Sequence, residues 1–287
     1  MHWICASRWA VAAAVGIAAA MAAIVAQAQG QPAREDAYFD LRRGLDNCRL
    51  AFLNNHAGRV GFIGGSITVA TGWRDHTCAA LQAAFPDTRF DFINAGIGGT
   101  NSTLGAFRLE DDVFRNGPVD LLFIEFAVND GGDCPDNRRV RAMEGMVRRA
   151  HRLNPAIDIV IQYFVDQSKY GDLSKGRVPE TITAHEQVAK HYDITVIDLA
   201  REVTRRLDAG AFDWDTFARD SCHPTAFGHE VYGECIRAVL DAAWAEPPAP
   251  GAQPAPRPLP EPLDPMNYEN GRFIPLEKGR IIDGWQR

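Results

Sequence analysis

Short apolar runs alternate with amphipathic stretches between residues 55 and 245. The runs read RVGFIG, RFDFINAG, VDLLFIEFAV, IDIVIQYF and ITVIDL. Near-continuous apolar runs of this length are typical of parallel strands that are buried on both faces. The stretches between and after them, such as DHTCAALQAAF and DNRRVRAMEGMVRRAHRLN, place apolar residues at helical spacing. The alternation predicts an α/β domain over residues 55–245, with a central five-stranded parallel sheet covered by helices on both faces.

The first 28 residues have the pattern of a secretory signal peptide. A short segment with one arginine precedes the run WAVAAAVGIAAAMAAIVA, and the small-x-small pattern of Ala26-Gln27-Ala28 follows. We therefore expect cleavage after residue 28 and a periplasmic or extracellular protein, with residues 29–54 as an N-terminal lead-in. The alternative is an uncleaved membrane anchor, because the run approaches the length that spans a bilayer.

The chain beyond residue 245 changes in composition. Residues 246–265 read EPPAPGAQPAPRPLPEPLDP, which predicts an extended, semi-rigid linker. Residues 266–287 form a C-terminal tail that is too short to fold alone. The tail either packs back on the main domain or begins an appended module.

Charge and cysteine content narrow the range of partners and cofactors. The net charge is −7, and the sequence has no basic cluster, so nucleic acid is not expected as a partner. Removal of a signal peptide leaves five cysteines: Cys48, Cys78, Cys134, Cys222 and Cys235. Disulfides persist in exported proteins, and Cys134–Cys222 is the pair we favour, although most of these residues could be buried apolar side chains. No CxxC or Cys/His spacing indicates a metal site.

Three predicted strands end in residues that carry chemistry. The first ends in Gly64-Gly65-Ser66, the second in NAGIGGTNS, and the third in AVND. The carboxyl ends of parallel strands meet at one edge of a sheet, where ligands of α/β proteins bind. Far downstream, the segment DSCH (residues 220–223) directly precedes the last predicted helix.

These residues fit the requirements of acyl transfer. A serine hydroxyl such as that of Ser66 needs a base to take its proton, and His223 can be that base. Asp220 lies three residues before His223, close enough to orient its ring. The backbone N–H groups of Ser66 and Gly99 and the side-chain amide of Asn129 are candidate donors to an oxyanion. Each residue alone could instead be a turn or a cap.

Taken together, the four segments resemble the SGNH, or GDSL-like, hydrolase family. GGSIT, NAGIGGT, VND and DSCHP match its four sequence blocks in order, over about residues 55–245. The resemblance implies a flavodoxin-like three-layer α/β/α fold and a serine esterase without cofactor or metal. It implies Ser66 as nucleophile, His223 as base and Asp220 as its orienter, with Ser66, Gly99 and Asn129 as the oxyanion hole.

Two residues depart from the family pattern. Gly65 stands where many members have aspartate, and Ala127 stands where the third block usually begins with glycine. Neither supplies the proposed chemistry. The wider sequence around these blocks resembles that of a bacterial subgroup that acts on saccharide esters. This resemblance favours an acetyl ester on a polysaccharide as substrate.

The same residues were also compared with the sequence patterns of other protein classes. The spacing GxGxxG and an acidic strand end are absent, which argues against dinucleotide binding, and no Gly-Lys-Ser/Thr follows for a P-loop. Thr68 stands where an α/β-hydrolase elbow requires glycine. A lipase or thioesterase for longer acyl chains and a non-catalytic carbohydrate-binding module on the same fold stay open.

Several residues near the blocks are candidates for substrate contact. Trp73 and Arg74, with His76, follow the nucleophile and could line a sugar groove, although Trp73 could equally pack at a helix start. Arg108 and Glu125 could shape the site or form a structural ion pair. His229, on the closing helix, is expected to be structural. The partner is a small-molecule or polysaccharide ester, and the sequence predicts no oligomeric state.

Overall fold

The computed structural model describes residues 37–132 and 137–279. The predicted signal peptide and Cys134 lie outside the described residues. From Tyr38 onward the chain forms one compact unit. Within the described ranges, none of the helices is both long enough and apolar enough to cross a membrane.

A six-stranded sheet forms the centre of the unit, with the strand order β1-β6-β5-β4-β2-β3. Its strands are β1 (Phe39–Asp40), β2 (Ala57–Gly64), β3 (Arg89–Gly96), β4 (Leu121–Glu125), β5 (Asp158–Gln162) and β6 (Thr195–Ile197). The five strands β2 to β6 are parallel. Their order is that of a flavodoxin-like fold, with the switch point beside the first of them.

The predicted strand number was one too low. β1 pairs antiparallel with β6 at the edge of the sheet, so the sheet has six strands and is mostly rather than wholly parallel. β1 has two residues and lies in the predicted N-terminal lead-in, and a strand of that length carries no periodic signal. The main prediction of a parallel sheet covered by helices is confirmed.

Helices fill the connections between the strands. They are α1 (Asp46–Asn55), α2 (Ser66–Val69), α3 (Trp73–Ala84), α4 (Ser102–Leu109), α5 (Arg138–Leu153), α6 (Gln167–Leu173), α7 (Glu180–His191), α8 (Leu199–Asp208), α9 (Trp214–Phe217) and α10 (Ala226–Ala243). A π-helical turn (Glu110–Phe114) extends α4, and a 3₁₀ turn covers Leu276–Lys278. α3 packs against α10, whereas α4, α5 and α7 pack side by side.

The core is built on the buried central strands. Every residue of β4 and β5 is buried, as expected for parallel strands with helices on both faces. Phe62 of β2 stacks on Phe123 of β4, with ring centroids 5.1 Å apart. Trp73 packs edge-on against Phe62 and Phe164. This aromatic cluster lies directly below the strand ends that carry the site.

The proline-rich segment and the tail run along the domain surface through residue 279. Arg257 forms an ion pair with the buried Asp158 of β5, at 2.6 Å between Nη2 and Oδ1. Glu144 of α5 is fully buried and accepts hydrogen bonds from the N–H groups of Leu263 and Asp264. The tail also packs back on the main domain: the N–H of Tyr268 donates to the Arg141 carbonyl at 3.0 Å, and Glu269 forms an ion pair with Arg148 of α5 at 2.7 Å.

Candidate active site

Ser66 lies where β2 ends and α2 begins. Gly64 is the last residue of β2 and pairs with Gly96 of β3 and Glu125 of β4, so three strand ends meet beside the serine. The Ser66 hydroxyl is 2.8 Å from Nε2 of His223. This is hydrogen-bonding distance for a nucleophile and its base.

His223 is held by a tight loop that precedes α10. Its Nδ1 is 2.8 Å from Oδ2 of Asp220. The other carboxylate oxygen of Asp220 accepts the backbone N–H groups of His223 (2.7 Å) and Cys222 (2.9 Å). These backbone hydrogen bonds, with the His223 ring as a further contributor, hold the pKa of Asp220 well below its usual range. The carboxylate therefore stays ionised and fixes which imidazole nitrogen carries hydrogen.

Two neighbours anchor this loop to the rest of the domain. The indole N–H of Trp214 donates to the Asp220 carbonyl at 2.8 Å. The backbone N–H of Gln167, at the start of α6, donates to the Ser221 carbonyl at 2.9 Å. Contacts with α6 and α9 thus fix the loop, so the position of the His223 imidazole depends on these helices as well as on the loop sequence.

The structure brings the predicted oxyanion-hole residues to the same edge of the sheet. Gly99 has a positive φ of 72°, a conformation that favours glycine, in the loop between β3 and α4. Its neighbour Gly98 faces Ser66: a β-carbon at Gly98 would lie 3.8 Å from Cβ of Ser66. The Asn129 side chain lies against Gly65, where an added β-carbon would come within 2.2 Å of Oδ1.

Arg108 shapes the site from below. Its guanidinium donates to the carbonyls of Ala95 (2.5 Å) and Gly64 (3.1 Å) and forms an ion pair with Asp112 at 2.9 Å. It therefore ties the ends of β2 and β3, which carry Ser66 and the Gly99 loop. Of the two predicted alternatives, site shaping describes Arg108, and its charged partner is Asp112 rather than Glu125.

Glu125 is a buried carboxyl group under the Asn129 turn. Its Oε1 accepts the N–H of Val128 at 3.5 Å, and the residue is 1% exposed. Burial raises the pKa of Glu125 to about 8, so the group is mostly protonated at neutral pH. Gln162, its partner across the β4–β5 pair, is also fully buried.

Trp73 and Arg74, the two residues predicted to contact substrate, both make contacts within the protein. Trp73 is fully buried, and its indole N–H donates to the Ile67 carbonyl at 3.1 Å, so the prediction that it lines a groove was wrong. It is instead the packing residue at a helix start. Arg74 is half-buried, and its Nε donates to the Thr68 carbonyl at 3.3 Å. A contact between Arg74 and substrate stays a prediction.

The two neighbouring histidines have separate environments. His76 is exposed and lies against Gly233 of α10, where an added β-carbon would come within 2.5 Å of its Cβ. Nδ1 of His229 accepts the backbone N–H of Trp73 at 3.2 Å. Burial lowers the pKa of His229 to about 4, so it is a neutral acceptor, as a structural histidine should be.

Asp220, Cys222 and His223 offer ligand atoms that all lie within 4.8 Å of one another. Their hydrogen bonds explain the cluster without an ion, because Nδ1 of His223 already faces Asp220. Burial raises the pKa of the Cys222 thiol. Among the described residues, no disulfide joins Cys48, Cys78, Cys222 and Cys235 to one another. Cys134 lies outside those residues, so a Cys134–Cys222 bond stays a prediction.

One buried hydrogen-bonded pair at this edge, Asp130 and His185, was not predicted from the sequence. Nε2 of His185 is 2.7 Å from Oδ2 of Asp130. A signal was available, because His185 falls between Ile182 and Val188 on the apolar face of a predicted helix, and all three are buried. A polar residue on an apolar face needs a buried partner.

Comparisons with known proteins agree with this fold. The sequence profile of the GDSL-like lipase/acylhydrolase family matches residues 62–231. A comparison with curated proteins gives no match. A solved two-domain esterase active on acetylated mannans is 25% identical, with a TM-score of 0.66, over 80% of this chain and 61% of that chain.

Two further solved structures share the fold. The same mannan esterase co-crystallized with mannopentaose is 24% identical, with a TM-score of 0.67, over 80% of this chain and 60% of that one. A variant of Axe2, an acetyl xylan esterase from Geobacillus stearothermophilus, is 19% identical, with a TM-score of 0.52, over 64% of this chain and 96% of that one. The chain thus spans about 60% of the length of the two-domain esterase. It belongs to the GDSL-like lipase/acylhydrolase family.

Proposed function

We propose that the protein is a serine esterase that removes short acyl groups, most simply acetyl, from a polysaccharide through an acyl-enzyme. The observation that carries the mechanism is the continuous chain of hydrogen bonds from Ser66 to His223 to Asp220, each link at 2.8 Å. A hydroxyl, an imidazole and a carboxylate in this order are the parts that activate a serine nucleophile.

The reaction proceeds in two halves. Ser66 Oγ attacks the ester carbonyl while its proton passes to Nε2 of His223, and Asp220 stabilises the imidazolium that forms. The tetrahedral intermediate collapses, the bond to the alcohol breaks, and Nε2 returns the proton to the leaving oxygen. A water molecule then attacks the acyl-enzyme with the same base, and breakdown of the second intermediate releases the carboxylic acid and regenerates Ser66.

The negative charge of each intermediate needs fixed donors. We assign these to the N–H groups of Ser66 and Gly99 and to the Asn129 amide. A preorganised donor of this kind contributes about 3 to 4 kcal/mol to the stability of the transition state. The neutral Asn129 amide supplies its hydrogen bond at any working pH.

The assignment of an acetylated polysaccharide rests on two supports. The fold matches, at 25% identity, a two-domain esterase that is active on acetylated mannans. The N-terminal pattern favours export, and an exported enzyme meets polysaccharides rather than cytoplasmic thioesters. The sugar itself is not assigned.

The test is ester hydrolysis by the purified mature chain, with Ser66→Ala as the matched control. p-Nitrophenyl acetate is compared with p-nitrophenyl octanoate, and acetate release is measured from acetylated mannan, xylan and pectin. We expect acetate release that disappears in Ser66→Ala and a preference for acetate over octanoate. A Ser66-dependent preference for octanoate would move the assignment to a lipase or thioesterase. Equal background rates for both proteins on every ester would contradict an enzyme that uses Ser66.

A further inference from the structure

Asp130 directly follows Asn129, and each of its polar groups contacts a different element. Its N–H donates to the Phe126 carbonyl at 2.9 Å, which closes the turn after β4. Its carbonyl accepts Nε of Arg139 from α5 at 2.7 Å. One carboxylate oxygen accepts the N–H of Ser102 at 2.9 Å, and the other contacts Nε2 of His185 at 2.7 Å.

The contact with Ser102 connects the two loops of the proposed oxyanion hole. Ser102 is the first residue of α4 and lies three residues after Gly99. Asp130 lies one residue after Asn129. The carboxylate of Asp130 therefore bridges the loop that carries the Gly99 N–H and the turn that carries the Asn129 amide. Ser102 is 1% exposed and the Asp130 side chain 3% exposed, so water does not compete for this bond.

α4 does not need Asp130 as an ordinary helix cap. The N-cap of α4 is Asn101, whose side chain accepts the N–H of Leu104 at 3.2 Å. The bond from Ser102 to Asp130 is thus an additional link that joins two elements, rather than a local capping contact. The negative charge at the first turn of α4 also agrees with the direction of the helix dipole.

His185 keeps the buried carboxylate paired and in place. It lies on α7, is fully buried, and reaches Asp130 through Nε2. A buried carboxylate without a partner would be costly, and the charge-assisted bond from the ring removes that cost. Burial alone would raise the pKa of Asp130, but the hydrogen bonds from His185 and Ser102 outweigh it and lower the pKa.

We propose that Asp130, held by His185, is a positioning residue that sets the separation between the Gly99 loop and the Asn129 turn. Asp130 does not touch the substrate. It acts through the two oxyanion donors, so its effect falls on the transition state and not on binding of the ester. The inference rests on the proposed function, because it assumes that Gly99 and Asn129 hold the oxyanion.

The test compares variants of this pair by kcat, KM and melting temperature on p-nitrophenyl acetate. Asp130→Ala removes the link, and His185→Phe removes the ring donor while it fills the space. Asp130→Asn is the rescue variant, because its amide oxygen can still accept from Ser102, while its NH₂ group can donate to Nε2 once the neutral His185 ring carries its hydrogen on Nδ1. Tyr192→Phe is the matched control, since it deletes a buried side-chain hydrogen bond, 2.6 Å to Glu144, from a residue just beyond the C-terminal end of α7, seven residues after His185.

We expect Asp130→Ala and His185→Phe to lower kcat by about 10- to 100-fold with KM changed less than about threefold, as for a misplaced catalytic group. Asp130→Asn should recover most of kcat, and Tyr192→Phe should leave it unchanged. The affinity for a boronic acid, which forms a tetrahedral adduct with the serine, should fall by the same factor as kcat.

Two results would overturn the inference. One is that kcat and boronate affinity stay within about twofold of wild type in the folded Asp130→Ala and His185→Phe proteins. The other is that kcat falls equally in Tyr192→Phe, which would indicate a general loss of stability. Esterase activity that persists in the Ser66→Ala variant would instead contradict the proposed function. Failure of the inference and failure of the proposed function are therefore distinguishable.

Discussion

Gly65→Ala should disturb the active site without disturbing the fold. An added β-carbon would lie 2.2 Å from Oδ1 and 2.8 Å from Cγ of Asn129. Non-bonded carbon and oxygen atoms need about 3.5 Å, so the amide has to retreat by about 1 Å. Gly65 has φ −91° and ψ −146°, which lies at the margin of the β region that alanine adopts. Because the atoms that yield are the tip of one side chain, the backbone can stay in place.

The expected loss follows from the role of the Asn129 amide. Removal of one oxyanion donor lowers kcat by about 10²- to 10³-fold, and a displacement of about 1 Å can cost up to about 10²-fold. We therefore expect Gly65→Ala to lower kcat by about 10- to 100-fold. Stability should change by less than about 1 kcal/mol, since replacement of glycine also reduces the entropy of the unfolded chain.

The assay is a double-mutant cycle on p-nitrophenyl acetate with Gly65→Ala, Asn129→Ala and the double variant. Gly131→Ala is the matched control, because its β-carbon would meet only the Val128 carbonyl, at an ordinary 3.8 Å. Once Asn129 is truncated there is nothing left to displace, so Gly65→Ala should cost almost nothing further. Full activity in Gly65→Ala, or losses that simply multiply in the double variant, would refute the reasoning.

Three further predictions address other parts of the structure. Asp220→Asn should lower kcat by about 10²- to 10⁴-fold in steady-state kinetics with an unchanged melting temperature, because an amide facing Nδ1 favours the wrong tautomer of the catalytic imidazole; a variant within tenfold of wild type would contradict this. Burial raises the pKa of Glu125 from 4.5 to about 8, so the unfolded chain releases a proton that the folded protein keeps, and stability falls as the pH rises between these values. In thermal melts, the free energy of unfolding of Glu125→Gln relative to wild type should therefore be higher at pH 8 than at pH 5, by at most about 5 kcal/mol. The same difference between the two proteins at both pH values would contradict the raised pKa of Glu125. Arg257→Ala leaves the buried Asp158 without its ion-pair partner and should cost about 3 kcal/mol in urea denaturation, whereas an unchanged midpoint would show that the proline-rich segment does not dock in solution.

The main features of the fold were predictable because they rest on local patterns. β4 and β5 are buried on both faces, so their sequences are continuous apolar runs that need no tertiary information. Ser66 and Asn129 each follow such a run directly, and the geometry of a parallel sheet brings strand ends together. β1 escaped prediction because its two residues are a strand only through their pairing with β6.

Contacts between distant segments were the part that the sequence could not supply. The side chain of Trp73 follows the nucleophile closely, but its direction into the core depends on how α3 packs on the sheet. His185 and Asp130 are 55 residues apart, and neither residue alone indicates the other. The proline-rich composition of residues 246–265 predicts an extended chain, but not the contacts with Asp158 and Glu144 by which this segment docks on the domain.

The central claim is that Ser66 is the nucleophile and His223 its base. The most direct measurement is peptide mapping by mass spectrometry after reaction of the full chain with a p-nitrophenyl phosphonate. We expect one phosphonyl adduct, on Ser66, with no labelling in Ser66→Ala and a rate of labelling lowered by about 10³-fold or more in His223→Ala. An adduct on another residue, or undiminished labelling in His223→Ala, would contradict the account.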